Sequence, residues 1–229
     1  ISLLEDERVR VLPVDPGQAR PEIMNTLVYI RRDGQISIGR AASEAYYRDN
    51  VGREAVKQRI TTDQTFKSYF ASTGEIEEQI VIEVDINQPG RFFQAIKSFL
   101  PEDGYGGTEV WGKFMTLEQL VALYLGEMKR RADEYLGREI DSVVLGRPVF
   151  FSPDGSGDDL AEERLRRAAE LAGFREIHFQ YEPVAAALHY EQELAGPEEY
   201  VLVFDFGGGT LDTTIVRVGK GRWEQGDRR

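Results

Sequence analysis

The chain has 229 residues, 41% of them apolar and 10% aromatic, enough for one large domain or two modest ones with real cores. Its net charge of -12 argues against a dominant role on nucleic acid or an anionic membrane, since phosphate surfaces are bound by basic patches. The absence of cysteine excludes disulfides, thiolate metal sites and thiol catalysis, and two isolated histidines argue against a zinc centre. No apolar run approaches the roughly 18 residues of a membrane span. The opening Ile1-Ser2-Leu3-Leu4-Glu5-Asp6-Glu7 is no signal peptide, so a cytoplasmic location is expected. A start on isoleucine, mid-pattern, suggests a piece of a longer protein.

In chain order, Val9 to Leu12 reads as a strand ended by Pro13 and Pro16. Leu27 to Ile30 and Gln35 to Ile38 flank Arg32-Asp33-Gly34, a hairpin with an Asp-Gly turn. Residues 41–74 read as mostly helical, with one polar face. Ile80 to Val84 is a strand, followed by the Pro89-Gly90 breaker and a glycine-rich loop from Gly104 to Gly107. Thr116-Leu117-Glu118-Gln119 is a capping-box start. Leu117, Leu120, Val121, Tyr124, Leu125 and Met128 then recur at helical spacing, extended by Ala132, Tyr135 and Leu136 and ended by Gly137. Val143 to Leu145 reads as a buried strand leading to Pro148. Asp158 or Asp159 caps a second helix whose inner face is Leu165, Ala168, Ala169 and Ala172, with Gly173 as terminator. Ile177 to Phe179 is strand-like, and Pro183 suits the first turn of an alanine-rich helix reaching Leu194. The alternation over 116–206 is that of an α/β sheet flanked by helices.

The most informative stretch is Asp205-Phe206-Gly207-Gly208-Gly209-Thr210-Leu211-Asp212, between the apolar run Tyr200 to Phe204 and the β-rich run Thr213 to Val218. Three glycines let a backbone approach a ligand closely, and successive N–H groups form a cradle for phosphate. The two carboxylates can hold a hard cation, directly or through water. The segment is either a Mg-nucleotide site or a plain glycine-rich hairpin. Asp205-Phe206-Gly207 copies a protein-kinase triplet, but the His-Arg-Asp signature is missing. It is no dinucleotide or P-loop fingerprint, because the turn leads into a strand rather than a helix. Glu182-Pro183-Val184-Ala185-Ala186-Ala187-Leu188-His189-Tyr190, just upstream, taken alone is a carboxylate at a helix mouth and equally a simple cap.

Paired at this spacing, the two segments closely resemble the ATPase domain of the 70-kilodalton heat-shock chaperone family, within the actin-like (ribonuclease H-like) fold. Tyr135-Leu136-Gly137 with Val143-Val144-Leu145-Gly146-Arg147-Pro148, Lys97-Ser98-Phe99-Leu100 and Ile38-Gly39-Arg40-Ala41-Ala42 extend the likeness. It is strong over 130–218 and weak over 1–111. The implied organisation is lobe I over 1–196, with a peripheral subdomain at about 27–111, and the beginning of lobe II over 197–229. The family's first phosphate loop and the adenosine-binding motif are not found. Glu162 stands where the family has an interdomain arginine, and Glu191 replaces a usual glycine. These departures suggest a divergent bacterial member.

The resemblance implies ATP or ADP with Mg2+ between two lobes. Gly207, Gly208, Gly209 and Thr210 would bind phosphates; Asp205, Glu182 and Asp212 would orient metal-bound waters. Lys97 would face the γ-phosphate, and Pro148 would be a switch. Lys97 read alone is also an ordinary surface lysine, and Pro148 a strand end. Lys97, Glu182, Asp205 and Thr210 are the implied catalytic set. The implied function is an ATP-hydrolysing chaperone-like protein whose closure signals to a client polypeptide or co-chaperone, with no nucleic acid or membrane partner. The alternatives are a filament-forming actin-like protein or a catalytically weak nucleotide sensor. The 229 residues alone are expected to bind nucleotide poorly and to be inactive.

Overall fold

Alternating apolar residues at the start of the chain pair into an antiparallel ribbon, β1 (Ser2–Glu5) with β2 (Arg8–Val11). The computed structural model describes residues 1–5, 8–70, 74–152, 154–191, 196–206 and 211–219. The Asp-Gly hairpin forms as read: β3 (Leu27–Arg31) pairs with β4 (Ile36–Ile38), and Gly34 takes φ 87° at the turn.

After this hairpin the helical expectation for 41–74 fails. Helix α1 covers only Arg40–Asn50, because Val51 turns extended and Gly52 takes φ 74°. The chain then runs as β5 (Lys57–Phe70), antiparallel to β6 (Gly74–Asp85). Threonines, Ile60, Phe66 and Tyr69 favour a pleated strand over a helix, since branched and aromatic side chains lose rotamer freedom in a helix. Strand β7 (Gly90–Gln94) joins the other edge of β3, giving the order β4-β3-β7. A 3-10 turn over Ile96–Phe99 and the hairpin β8 (Gly107–Val110) with β9 (Lys113–Thr116) complete this region.

Helix α2 (Leu117–Leu136) is the spine, and its ends are those the sequence specifies. The Thr116 hydroxyl accepts from Gln119 N, the Gln119 side chain accepts from Thr116 N, and Gly137 closes the helix in the left-handed region. Three neighbours pack along it in succession. Leu117 and Leu120 join Val28, Ile30, Ile96 and Val110. Leu125 joins Leu100 and the inner face of α3 (Asp158–Leu171), namely Ala161, Leu165, Ala168 and Ala169. Ala132 meets Leu12 and Val14 near the amino terminus.

Strand β10 (Ser142–Arg147) runs parallel to β11 (Glu176–Tyr181), with α3 as the crossover. The expectation of a buried strand at Val143 to Leu145 needs correcting: Leu145 faces α3, but Val144 on the opposite face is 65% exposed. Helix α4 (Glu182–Glu191) follows directly, then β12 (Glu198–Phe206) and β13 (Leu211–Gly219), paired antiparallel. Among the described residues no helix is long and apolar enough to cross a membrane.

Candidate functional site

The strands around the glycine turn fix two carboxylates in space. Asp205 and Asp212 are direct cross-strand partners at the neck of the β12–β13 hairpin, so their side chains leave the same face. Gly207, Gly208, Gly209 and Thr210, expected to bind phosphate, lie outside the described residues.

Helix α4 brings the third carboxylate. Its small Ala187 is buried against Val201, Val203, Val216 and Val218 of the hairpin, which lets helix and strands approach closely. Two polar contacts fix its far end: Tyr190 Oη donates to Glu199 Oε2 at 3.0 Å, and Gly219 N donates to Glu191 Oε1 at 3.0 Å. The glutamate that departs from the family pattern therefore ties α4 to the end of β13. With the helix held there, Glu182 at its first turn lines one open pocket with Pro148, Pro183, Asp205 and Asp212.

Lys97 reaches the same place from a distant part of the chain. Its Nζ lies 2.6 Å from Glu182 Oε1. Ala95, left-handed at φ 52°, turns the chain out of β7 and into the 3-10 turn that carries the lysine. The turn is then gripped from α3. Buried Arg164 donates to the carbonyls of Leu100 at 2.9 Å and Glu102 at 3.0 Å, and Gly157 packs so closely on Pro101 that any side chain there would collide. Gly146 leaves the room that Glu182 occupies, since a Cβ on it would stand 3.0 Å from Glu182 Cγ.

Arg147 fixes the remaining wall. Its guanidinium lies between the rings of Phe151 and Tyr181, at 5.1 and 5.2 Å, and is ion-paired to Glu162. It also donates to the carbonyls of Pro148 and Val149 at 3.2 and 3.3 Å. Glu162, the other departure from the family pattern, is thus the partner of an arginine one residue before Pro148.

Five of the expected site residues therefore converge: Lys97, Pro148, Glu182, Asp205 and Asp212. Arg164, Gly157 and Gly146 were not singled out from the sequence, because each acts through a neighbour far away in the chain. The only written hint of them is Gly146-Arg147 before Pro148. Among the described residues no three acidic or histidine side chains cluster tightly enough to grip a metal ion directly. A paired Asp205 and Asp212 with Glu182 across an open pocket instead fit a hydrated cation, held through its waters.

A family model described as Hsp70 protein matches residues 46–226, most of the chain and all of these residues. The chain belongs to the Hsp70 family. The chaperone protein DnaK of Thermosipho africanus is 33% identical over 158 residues, covering 66% of this chain and 24% of that protein. DnaK of Elusimicrobium minutum is 37% identical over 109 residues, and that of Thermotoga petrophila 34% over 158. The chain spans about a quarter of the length of the first of these relatives. Membership in the Hsp70 family carries the actin-like ATPase fold, and the mixed α/β elements of the chain agree with it.

Proposed function

We propose that this Hsp70-family chain supplies one wall of a Mg-ATP cleft in a chaperone-type ATPase. The observation that carries the proposal is the 2.6 Å contact between Lys97 and Glu182 at the mouth of the pocket that Pro148, Asp205 and Asp212 also line. These residues lie as far apart in sequence as 97 and 212, and a shared ligand would give them a common purpose. Residues 1–196 form the first lobe, with the peripheral subdomain at about 27–111, and 197–229 begin the second.

Phosphoryl transfer asks a protein mainly for positioning and charge neutralisation. The Lys97 ammonium is a mobile point charge, held ready by Glu182 and able to turn toward a γ-phosphate. Glu182, Asp205 and Asp212 accept hydrogen bonds from water and orient it; bound Mg2+ would supply neutralisation of the phosphate oxygens. Gly207, Gly208 and Gly209 offer N–H groups to the phosphates, and Thr210 a hydroxyl. Pro148, just after β10 and lining the pocket with Glu182, would sense closure and pass it to a client polypeptide or co-chaperone.

The test is calorimetric titration of ATP with Mg2+ into the full-length protein and its Asp205→Asn variant. Loss of one charge-assisted contact is worth about 1.5–3 kcal/mol, so affinity should fall roughly 10- to 150-fold. Unchanged affinity in the variant would remove Asp205 from the site, and the nucleotide reading with it.

A further inference from the structure

Between α1 and β7 the chain leaves the body of the molecule as the β5–β6 ribbon, with strands of 14 and 12 residues. Its root is rigid. Arg53 is ion-paired to Asp85 and donates to Asn87 Oδ1 at 2.7 Å, while Val56 N donates to the same Asn87 oxygen at 2.9 Å. Among the described residues neither strand has any other strand partner.

The register sorts the side chains onto two unlike faces. Ile60 opposite Ile82, Val84 opposite Gln58, Ile76 opposite Ser68, and Phe66 opposite Glu78, with Ile80 between Ile82 and Glu78 along β6, make a face that is mostly apolar. Lys57, Arg59 and Lys67 from β5 and Glu75, Glu77 and Glu83 from β6 dominate the other, which also carries Tyr69 and Val81. Phe66 is 57% exposed, Ile82 44% and Ile60 43%, so the apolar face is uncovered.

The two outer edges differ in their protection. Exposed edges invite pairing with another chain and are blunted by lysine, proline or bulges. On β5 the edge carries Lys57, Arg59 and Lys67 and is broken by a bulge between Thr61 and Thr65. On β6 it runs unbroken, with no proline, lysine or arginine, and with Glu75, Glu77, Glu78, Glu83 and Asp85. Negative charge alone guards it, which repels an acidic strand and admits a basic one.

We propose that the outer edge of β6 is a docking edge for an extended polypeptide in which apolar residues alternate with lysine or arginine. Its backbone continues the ladder, its apolar side chains extend the face of Ile76, Ile80, Ile82 and Val84, and its cations lie beside the carboxylates. Glu75 and Glu83 are already engaged by Lys67 and Lys57, at 2.6 and 2.7 Å. Among the described residues Glu77 accepts the Thr65 hydroxyl at 2.7 Å and forms no ion pair, which leaves it the carboxylate most available to an incoming cation. A second copy offers a poor β6 partner, since like charges would face each other and each chain carries a net charge of -12. This docking edge is independent of the nucleotide cleft.

The probe is a labelled peptide of about nine residues alternating lysine and valine, a length matched to the strand. It is titrated into the 229-residue chain, with fluorescence anisotropy for affinity and backbone NMR for location. Saturable binding is expected, with shifts confined to β6 and affinity lowered roughly tenfold in Glu77→Lys and again in Gln79→Lys. A glutamate–valine peptide should not bind. Neither should a fully N-methylated lysine–valine peptide, which keeps charge and apolarity but cannot form a ladder. Equal binding by the N-methylated peptide would overturn strand addition. Shifts that map to Glu182 and Asp205 instead of β6, or an edge already closed by self-association through β5 in sedimentation, would overturn it as well.

Discussion

Arg147 is a cation only 11% exposed, and every group around it is suited to a guanidinium. Removing a charge from water is costly unless its donors are all engaged. Here the planar fork meets Glu162, lies 3.7 Å from Asp158, and reaches two carbonyls, while its faces meet Phe151 and Tyr181. A lysine keeps the charge but has neither the fork nor the flat face. Arg147→Ala should cost about 2–3 kcal/mol, below the full value of a broken buried pair because Glu162 is 32% exposed and can rehydrate. Arg147→Lys should recover less than half of that. Urea midpoints of the three proteins decide it; a lysine variant as stable as the parent would mean that the stacking and the fork contribute nothing.

At the scale of elements, sheet β4-β3-β7 depends on one missing side chain. Gly90 of β7 pairs with Arg31 of β3, and a Cβ on it would overlap the ring of Tyr29. That ring cannot retreat: it is fully buried, edge-on to Tyr46 at 5.6 Å, and its hydroxyl donates to Asp49 at 3.2 Å. Overpacking of this kind costs about 1–3 kcal/mol, and for a chain of this size each kcal/mol lowers Tm by about 2–4 °C. Gly90→Ala should therefore melt several degrees lower by circular dichroism, and an unchanged Tm would show that β3 and β7 separate freely. Elements whose information is local were readable in advance. The capping box at Thr116, the stop at Gly137 and the Asp33-Gly34 hairpin each formed as the residues dictate. Ile80 to Val84 is the strand its residues suggest, but β5 escaped the sequence reading because the Gly52 break before it falls inside a polar stretch without a strong period. Its alternation of Ile60 and Phe66 with charged residues becomes plain only beside its partner. The candidate site was legible through two paired motifs, Glu182-Pro183 and Asp205 to Asp212. The grips that hold Lys97 there, Arg164 and Gly157, were not, since backbone carbonyls and close approaches leave no mark on a sequence.

For the molecule as a whole, the segment before β3 is docked on α2, and one carboxylate ties it there beside the buried Leu12 and Val14. Asp15 is buried, accepts from Gln18 at 2.7 Å, from Arg131 at 2.9 Å and from the backbone N–H of Arg40 at 3.2 Å. Arg131 also donates to Val14 O at 2.7 Å, and Tyr124 to Met24 O at 2.8 Å, so the segment is held at two heights along the spine helix. Burial alone would raise the Asp15 pKa, but the hydrogen bonds from Gln18, Arg131 and Arg40 and the Arg131 charge together hold it below the ordinary carboxylate value. A depressed folded pKa means stability that is fully present above the unfolded value of about 3.9 and is lost as pH falls through the folded value. Other carboxylates and the overall charge also titrate in that range, so the parent protein alone cannot isolate Asp15. The difference between parent and Asp15→Asn can, because terms common to both cancel. At pH 7 the variant should be less stable by about 2–4 kcal/mol, since Arg131 loses its buried partner. Below pH 4 the unfolded chain's Asp15 takes up its proton first, so the gap should narrow, and it closes fully only once the folded group is protonated too. Urea unfolding of both proteins at pH 7 and pH 3 measures it, and a gap of equal size at both values would mean that Asp15 acts by shape rather than by charge.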